Sequence, residues 1–437
     1  LFRFQTMWLL HPDFYRVVQQ AWVENRALQR AVADFVDRVK KWNVEVFGNI
    51  FAKKRRVLVR LNGAQKAIAE NFNDFLLDLE NQLLSEYSLI LMQKEEFWAL
   101  KSKRNATFFG DRNMSFFHVS IVVRRHRNKI RCIKDAVGNW LTEDNEVKEH
   151  IRSGFINLYT TELRWSTKSS DVSNFSCCYF SDEVRARIHC DVTVEEIRAS
   201  LWALKPFKAP GPDGLHAGFY QHFWMEVKNY VCEEIKEIFM HGVVPSYLNE
   251  TLIALIPKCQ NPESLSNYRP ISLCNLIYKV ISKIIVARIR PHLSSLISPV
   301  QTAFVPGQRG THNVIIAQEL FRTLDKKKKG RVSYMAIKLD LEKAYDRLEW
   351  SFVHKVLEAF RFPLKLTKII MSCIATTSIS VLVNGGALQS FEPSRGIRQE
   401  DLLSPYIFIL CMEYLGHLIE QTCVDGGWTP LKASKNN

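Results

Sequence analysis

The residues best placed to do chemistry lie in Tyr334-Met335-Ala336-Ile337-Lys338-Leu339-Asp340-Leu341-Glu342-Lys343-Ala344-Tyr345-Asp346. The pattern reads as a buried apolar strand that ends on the Asp340 carboxylate, with a helix beginning after it. Magnesium takes oxygen ligands from one or two carboxylates together with substrate phosphates and water, so an aspartate on a rigid strand facing a cleft suits it. The alternative is that Asp340 or Asp346 caps the following helix, with Tyr345 in ordinary packing. Two cations stand on apolar runs upstream. Leu252 to Lys258 reads as a strand ending in Pro257-Lys258, and Asn267-Tyr268-Arg269-Pro270-Ile271-Ser272-Leu273 places an arginine before a proline. A residue before proline is held extended, which suits a planar donor fork aimed at phosphate oxygens. On spacing alone, surface salt bridges explain both cations equally well.

A different cationic pattern runs from Lys101 to Lys134, with ten Lys/Arg against the single acid Asp111, interleaved with Phe108, Phe109, Phe116 and Phe117. Cations there neutralise phosphates and aromatic rings stack on unpaired bases. The candidate nucleic-acid contacts are Lys101, Lys103, Arg104, Arg112, Arg124, Arg125, Arg127, Lys129 and Arg131; the competing reading is a solvated basic face over a phenylalanine core. The whole chain agrees in sign, since 59 Lys+Arg against 45 Asp+Glu give a net charge of +14, which suits a polyanionic partner without requiring one.

Other chemistries find no footing. The ten cysteines form no Cys-x-x-Cys pair and no cluster with histidine at zinc-finger spacing, and read as reduced core residues. No stretch approaches the roughly 18 apolar residues of a membrane span and no signal-like apolar run follows the N-terminus, so the expectation is an intracellular protein, nuclear or cytoplasmic.

The elements that must position these residues exceed one core, since 437 residues suggest two or three folding units. Leu1 to Phe4 resembles a buried strand. From Asp13 to about Lys103 the pattern is helical, with apolar residues at Phe72, Leu76, Leu79, Leu83, Ile90 and Phe97; long antiparallel helices are expected, with a turn at Asn62-Gly63 and an earlier break at Gly48. Such a stripe is core or coiled-coil packing and receives no chemistry. Val137 to Trp140 reads as a turn at Gly138-Asn139 between short strands. The Ser, Thr, Asp and Asn of 166–181 mark a linker, and Lys205 to Gly214 a stiff exposed loop. Lys326 to Lys329, closed by Gly330, reads as a solvated turn.

Together the motifs resemble the reverse-transcriptase region of LINE-type, non-LTR retrotransposons, particularly their plant branch, along nearly the whole chain. The resemblance is carried by an ordered series: Phe109-Gly110-Asp111-Arg112-Asn113 with Phe116-Phe117-His118, Lys208-Ala209-Pro210-Gly211-Pro212-Asp213-Gly214, Leu255-Ile256-Pro257-Lys258, Tyr268-Arg269-Pro270-Ile271-Ser272-Leu273, Ala303-Phe304-Val305-Pro306-Gly307, Asp340 to Asp346, and Gly396-Ile397-Arg398-Gln399 with Leu403-Ser404-Pro405. It implies an α+β right-hand polymerase, with fingers and palm over 192–437, a linker at 166–191, a helical basic connector that binds nucleic acid at 15–165, and the tail of an endonuclease domain at 1–14. It also implies two Mg²⁺ ions, with Asp340 as the catalytic carboxylate and Asp340 and the Leu341 carbonyl as metal ligands. Lys258, Arg269, Tyr345 and Gln399 would then hold the incoming dNTP, Tyr345 policing its sugar, and the partners would be an RNA template and a DNA primer.

Departures temper that reading. An aromatic-Ala-Asp-Asp turn expected after Trp428 is not found, so the chain is expected to be catalytically incomplete, lacking also a thumb and any RNase H. Where the family carries Gln-Gly-Asp-Pro-Leu-Ser-Pro this chain has Gln399-Glu400-Asp401-Leu402-Leu403-Ser404-Pro405, and Gln308-Arg309-Gly310-Thr311-His312 departs from the family order as well. Both suggest decay, and two other readings stand beside the polymerase: a nucleic-acid-binding remnant without catalysis, or an interaction module built on the helices of residues 13–103.

Overall fold

The computed structural model describes residues 1–23, 27–102, 114–163, 179–326 and 334–431. Its helices, in chain order, are α1 (Phe14–Ala21), α2 (Leu28–Trp42), α3 (Ile50–Glu70), α4 (Asp74–Ser102), α5 (Met114–Asn128), α6 (Asp144–Tyr159), α7 (Asp182–His189), α8 (Val194–Trp202), α9 (Ala217–His222), α10 (Trp224–His241), α11 (Ser246–Asn249), α12 (Leu276–Ile289), α13 (Gly310–Lys326), α14 (Trp350–Ala359), α15 (Leu364–Ala375) and α16 (Ser404–Val424). The strands are β1 (Ile133–Lys134), β2 (Trp140–Leu141), β3 (Glu250–Pro257), β4 (Tyr268–Cys274), β5 (Ser378–Val383) and β6 (Gly386–Ala387), so helix and sheet are mixed as in an α+β protein. Contacts divide the chain into two compact units, one of Leu1–Arg131, Leu201–Glu234 and Cys259–Asn261, the other of Cys132–Ser200, Ile235–Lys258 and Pro262–Asn437. Of the stretch read as a linker, 166–191, residues 166–178 lie outside the described residues and Asp182–His189 form α7; 327–333 with Lys327 to Lys329 also lie outside them.

The first unit closes on aromatic rings. Phe4, Phe14, Phe35 and Phe219 are all at most 1% exposed, and Phe35 meets Phe219 at 4.7 Å between ring centres. Leu1 to Phe4 forms no strand: Leu1 is 65% exposed and only the Phe4 ring is buried, while the Phe4 N–H donates to the Gly214 carbonyl at 3.0 Å. That contact corrects the reading of Lys205 to Gly214 as wholly exposed. Lys205 to Lys208 do face solvent, but Gly214 is buried with φ +74°, and a Cβ there would stand 2.3 Å from the Phe2 oxygen. The position therefore requires glycine for both its backbone and its lack of a side chain.

Gly48 breaks the helical run as expected, with φ +67°, and the Asn49 side chain then caps α3 by accepting from the Phe51 and Ala52 N–H groups. Asn62-Gly63 is not a turn. α3 runs through it to Glu70 and the chain reverses at 71–73, with α4 returning antiparallel, so that Gln65 reaches Glu80 at one end and Phe51 meets Phe97 at the other. An isolated glycine in an exposed helical turn costs about 1 kcal/mol. Burying Val57, Leu61 and Ala64 against Leu83 and Ile90 outweighs that.

The second unit holds a four-stranded sheet in the order β4-β3-β5-β6. β3 pairs antiparallel with β4, matching Ile256 with Arg269, and parallel with β5, matching Leu252 with Ser380. The Asn384-Gly385 turn between β5 and β6 has both residues at positive φ, +52° and +93°, as a two-residue hairpin of the right twist demands. β1 and β2 form the expected small hairpin around Gly138, where the Asp135 carboxylate accepts from the N–H groups of Val137, Gly138 and Asn139. α12 is buried over most of its surface, with Tyr278, Val280, Ile281, Ile284 and Ile285 fully enclosed, as its nearly unbroken apolar run requires. Among the described residues one helix, α16, is long and apolar enough to cross a membrane, by length and composition. Its Glu413 is buried here and accepts from the Ser298 N–H.

The segment leading to Asp340 departs most from expectation. Residues 334–341 form no strand, Met335, Ile337 and Leu339 are 81%, 70% and 70% exposed, and turns rather than a helix follow until α14. Among the described residues no strand pairs with this run, and Lys343 at φ +51° prevents a helix from starting at Glu342.

A buried histidine gives the first unit a pH signature. His216 is 4% exposed, wedged edge-on between the rings of Phe4 and Phe207, with neither ring nitrogen partnered, and burial pushes its pKa down to about 4. The unfolded chain takes up a proton near pH 6.5 and the folded chain does not until about pH 4, so stability falls as pH drops through that window, by an amount of order 3 kcal/mol. His216→Phe is expected to flatten this loss, read as the difference between urea midpoints at about pH 7 and about pH 4.5.

Candidate active site

The second unit contains an open cleft of about 560 Å³, within the size range of ligand sites, bordered by Lys283 and Val286 of α12, Phe304, Lys343 to Tyr345, and Gln399 to Leu402. Three residues on its rim, Phe304, Lys343 and Glu400, are non-glycine residues at positive φ, +60°, +51° and +66°. Each such residue costs about 1–2 kcal/mol, and strain of this kind collects where a structure over-determines a binding surface.

Two loops build the cleft and are laced together. The Ile397 N–H donates to the Tyr345 carbonyl at 2.8 Å, the Gly396 N–H to the Leu348 carbonyl at 2.7 Å, and the Trp350 indole to the Gly396 carbonyl at 2.8 Å. Gly396 has φ +89° and a Cβ there would stand 2.6 Å from the Asp346 oxygen, so glycine is what allows the approach. Tyr345 is half-buried and stacked on Phe408 at 4.9 Å; burial first, and then the Glu400 charge, raises its pKa. Gln399 sits beside it. Its amide donates to both oxygens of Asp346 at 3.0 Å, and its carbonyl accepts from the Ser272 N–H of β4 at 3.1 Å.

Asp346 is therefore not a helix cap. It is 2% exposed, accepts from the Tyr159 hydroxyl at 2.9 Å as well as from Gln399, and has its pKa raised by burial, against the opposing pull of those hydrogen bonds and of Lys343 and Lys258. Behind it lies Arg398, 7% exposed. Its Nη2 reaches the Asn249 carbonyl and side-chain oxygen, the Cys373 carbonyl at 3.1 Å and Thr377 Oγ1 at 2.6 Å. The guanidinium lies 4.1 Å from the Tyr278 ring, and the Tyr278 hydroxyl in turn donates to the buried Asp401 at 2.8 Å. The neighbouring Cys373 thiol is pushed up to about 12 by burial, which removes it from nucleophilic chemistry.

Of the candidate residues, Tyr345 and Gln399 come together in the cleft. Lys258 and Arg269 come together at one end of the β3/β4 hairpin: both are exposed, Arg269 is paired with Ile256, and Lys258 Nζ donates to the Ser266 carbonyl at 2.8 Å. Asp340 and Leu341 are exposed on the irregular segment, and among the described residues no group of three or more His, Cys, Asp or Glu gathers around a metal position. One carboxylate and one carbonyl are too few for a standing magnesium site. Of the basic set, Lys103, Arg104 and Arg112 lie outside the described residues, Lys101 ends α4, and Arg125, Arg127, Lys129 and Arg131 are exposed, with Arg124 half-buried. Sequence reasoning missed Asp346, Arg398 and Tyr159 as site builders. The signal for Arg398 was its place between Ile397 and the cleft residue Gln399; Tyr159 had none.

Residues 256–432 match the family of reverse transcriptases (RNA-dependent DNA polymerases). Over that stretch the chain is similar to reverse transcriptases, and the relatives it matches are proteins of transposable elements. It is 24% identical over 427 residues, 94% of its length, to an uncharacterized 149 kDa protein of transposon TX1 from Xenopus laevis, and spans 32% of that protein. It is 26% identical over 297 residues, 67% of its length, to the Pol polyprotein of the R2DM retrotransposable element of Drosophila melanogaster, and spans 26% of it. An uncharacterized mitochondrial protein of Arabidopsis thaliana is 41% identical over 56 residues, 13% of this chain and 46% of that protein. The chain thus spans a third or less of the first two relatives.

Against the reverse-transcriptase family the left-handed backbone at Glu400 explains why a glycine is usual there: a glutamate must adopt φ +66° with a Cβ in place. Glu400→Gly is expected to stabilise the protein by about 1 kcal/mol, seen as a higher urea midpoint at unchanged slope. Arg398→Met keeps the length but strips the interior of its cation, leaving Asp401 without its countercharge, and should cost about 3 kcal/mol by the same assay.

Proposed function

We propose that the protein is an RNA-directed DNA polymerase segment that joins a dNTP to a DNA primer on an RNA template. The observation that carries this is the cleft itself, where Tyr345 and Gln399 meet inside the stretch matched to reverse transcriptases. Tyr345, fixed by its stack on Phe408, presents a rigid ring against which a 2′-hydroxyl would collide. Gln399, its amide spent on Asp346, keeps its side-chain oxygen for the nucleotide. Lys258 and Arg269 are the cations for the triphosphate. Two Mg²⁺ ions would activate the primer hydroxyl and the leaving pyrophosphate in such an enzyme, and Asp340 with the Leu341 carbonyl would give this segment's share of their ligands. In this reading 192–437 form fingers and palm and 15–165 a nucleic-acid-binding connector, and the Arabidopsis match favours the plant branch.

A second reading, nucleic-acid binding without catalysis, is favoured by one feature: Asp340 is exposed, and among the described residues no group of three or more His, Cys, Asp or Glu gathers to hold a metal. RNA-templated primer extension decides between the two. Polymerisation should fall about 10²–10³-fold in Asp340→Ala, and Tyr345→Ala should admit ribonucleotides alongside dNTPs. RNA binding with no Asp340-dependent extension would establish the non-catalytic reading instead.

A further inference from the structure

α6 lies well before the stretch that matches reverse transcriptases, yet its last turn is bonded into the loop that carries Gln399. The final carbonyls of a helix have no partner within it. Here the loop supplies them: the Tyr159 carbonyl accepts from the Ser394 and Arg395 N–H groups at 2.9 and 3.2 Å, and the Leu158 carbonyl accepts from Arg395 Nε at 3.0 Å. The Thr161 N–H, just past the helix, donates to Ser394 Oγ at 2.7 Å. A Cβ at Gly396 would stand 2.9 Å from the Tyr159 ring, so that ring lies directly on the backbone leading to Gln399.

Tyr159 is 4% exposed, with ring neighbours Phe155 and Phe391 at 6.3 and 6.4 Å between centres. A phenylalanine would fill the same space; what the tyrosine adds is a hydroxyl, which donates to Asp346 Oδ1 at 2.9 Å. Burial, and then the Asp346 charge, pushes the phenol well above its ordinary pKa, so it stays a donor. Asp346 receives the Gln399 amide as well, at 3.0 Å to each oxygen. An ionised carboxylate can only accept, so it turns the amide nitrogen of Gln399 towards itself and the side-chain oxygen away. A protonated Asp346 would be a donor and would reverse that carboxamide. Burial favours protonation, and the hydrogen bond from Tyr159 opposes it.

We infer that Tyr159 and Asp346 are positioning residues for nucleotide binding: Tyr159 keeps Asp346 an acceptor, and Asp346 fixes the Gln399 carboxamide with its oxygen available to the cleft. The inference rests on the reading of the cleft as a dNTP site. It extends recognition of the nucleotide to a helix outside the matched stretch, in a region otherwise read as a connector that binds nucleic acid.

The test is fluorescence anisotropy of the whole protein with a base-labelled fluorescent dATP in the presence of Mg²⁺. Tyr159→Phe should weaken binding about fivefold, the effect of one hydrogen bond. Asp346→Asn can offer its own N–H groups to the Gln399 oxygen and should weaken binding about tenfold. Introduced into Gln399→Ala, neither substitution should cost anything further, because the group they act through is gone. A purely structural role would instead cost the same factor in both backgrounds. Lys148→Gln, earlier on the same helix, should bind as the parent does. Urea midpoints establish that each variant is folded, and if Tyr159→Phe is not, Asp346→Asn and its pairing with Gln399→Ala decide the question. Folded variants with parental affinity, or losses that persist undiminished in Gln399→Ala, would overturn the inference and leave the polymerase reading standing. A parent protein that binds no dATP would overturn both.

Discussion

Arg398 carries its charge into the interior of the second unit, where an unpaired cation would cost several kcal/mol, so the residues around it are constrained in kind as well as in place. One amino group faces oxygens from Asn249 before β3 and from Cys373 and Thr377 at the end of α15; the plane faces the Tyr278 ring of α12; and Asp401, in the wall of the cleft, gives the countercharge. A lysine ammonium would offer no plane to lay against that ring. The consequence reaches the cleft directly: Arg398 precedes Gln399, and once its guanidinium is held, the backbone of Gln399 is fixed against β4 and its amide against Asp346. Binding geometry at the surface is thus set by a charge that never reaches the surface.

The strain on the rim follows from the same construction. Two loops that must approach closely enough to share three hydrogen bonds leave little choice of backbone at their tips, and Lys343 and Glu400 take left-handed conformations there. At Gly396 the chain resolves this crowding with the residue that tolerates it. At Glu400 it does not, and adds a carboxylate to a cleft whose proposed ligand is a polyphosphate. Backbone cost and electrostatic cost thus fall on one residue.

What was legible in the sequence was local. The β3 strand from Leu252, the Arg269-Pro270 extension, the Gly138 turn and the Gly48 break each follow from a few neighbouring residues whose chemistry leaves one favourable conformation. What was not legible depended on partners far along the chain. Asn62-Gly63 has the composition of a turn, but the packing of α3 on α4 overrides it. Arg398 and Asp346 look like surface charges because their acceptors and donors, Asn249 and Thr377 for one and Tyr159 and Gln399 for the other, lie as many as 187 residues away. Tyr334 to Asp340 has the alternation of a strand, but a strand exists only where another strand accepts its hydrogen bonds.

That last point bears on the chemistry of Asp340. Its neighbours Met335, Ile337 and Leu339 are apolar at alternate positions and yet exposed, and α13, the helix described before them, buries none of its residues in this structure. A carboxylate on so open a segment faces high-dielectric solvent, in which its attraction for a metal ion is weak and its direction is unfixed. Covering the apolar side chains would do two things at once: fix the segment as a strand and lower the dielectric around its last residue. In the proposed polymerase, the strength of Asp340 as a metal ligand would in this sense be coupled to packing rather than intrinsic to the residue. Tyr345 and Gln399, which the proposal places against the nucleotide, are already held by Phe408 and Asp346 and are not coupled in that way.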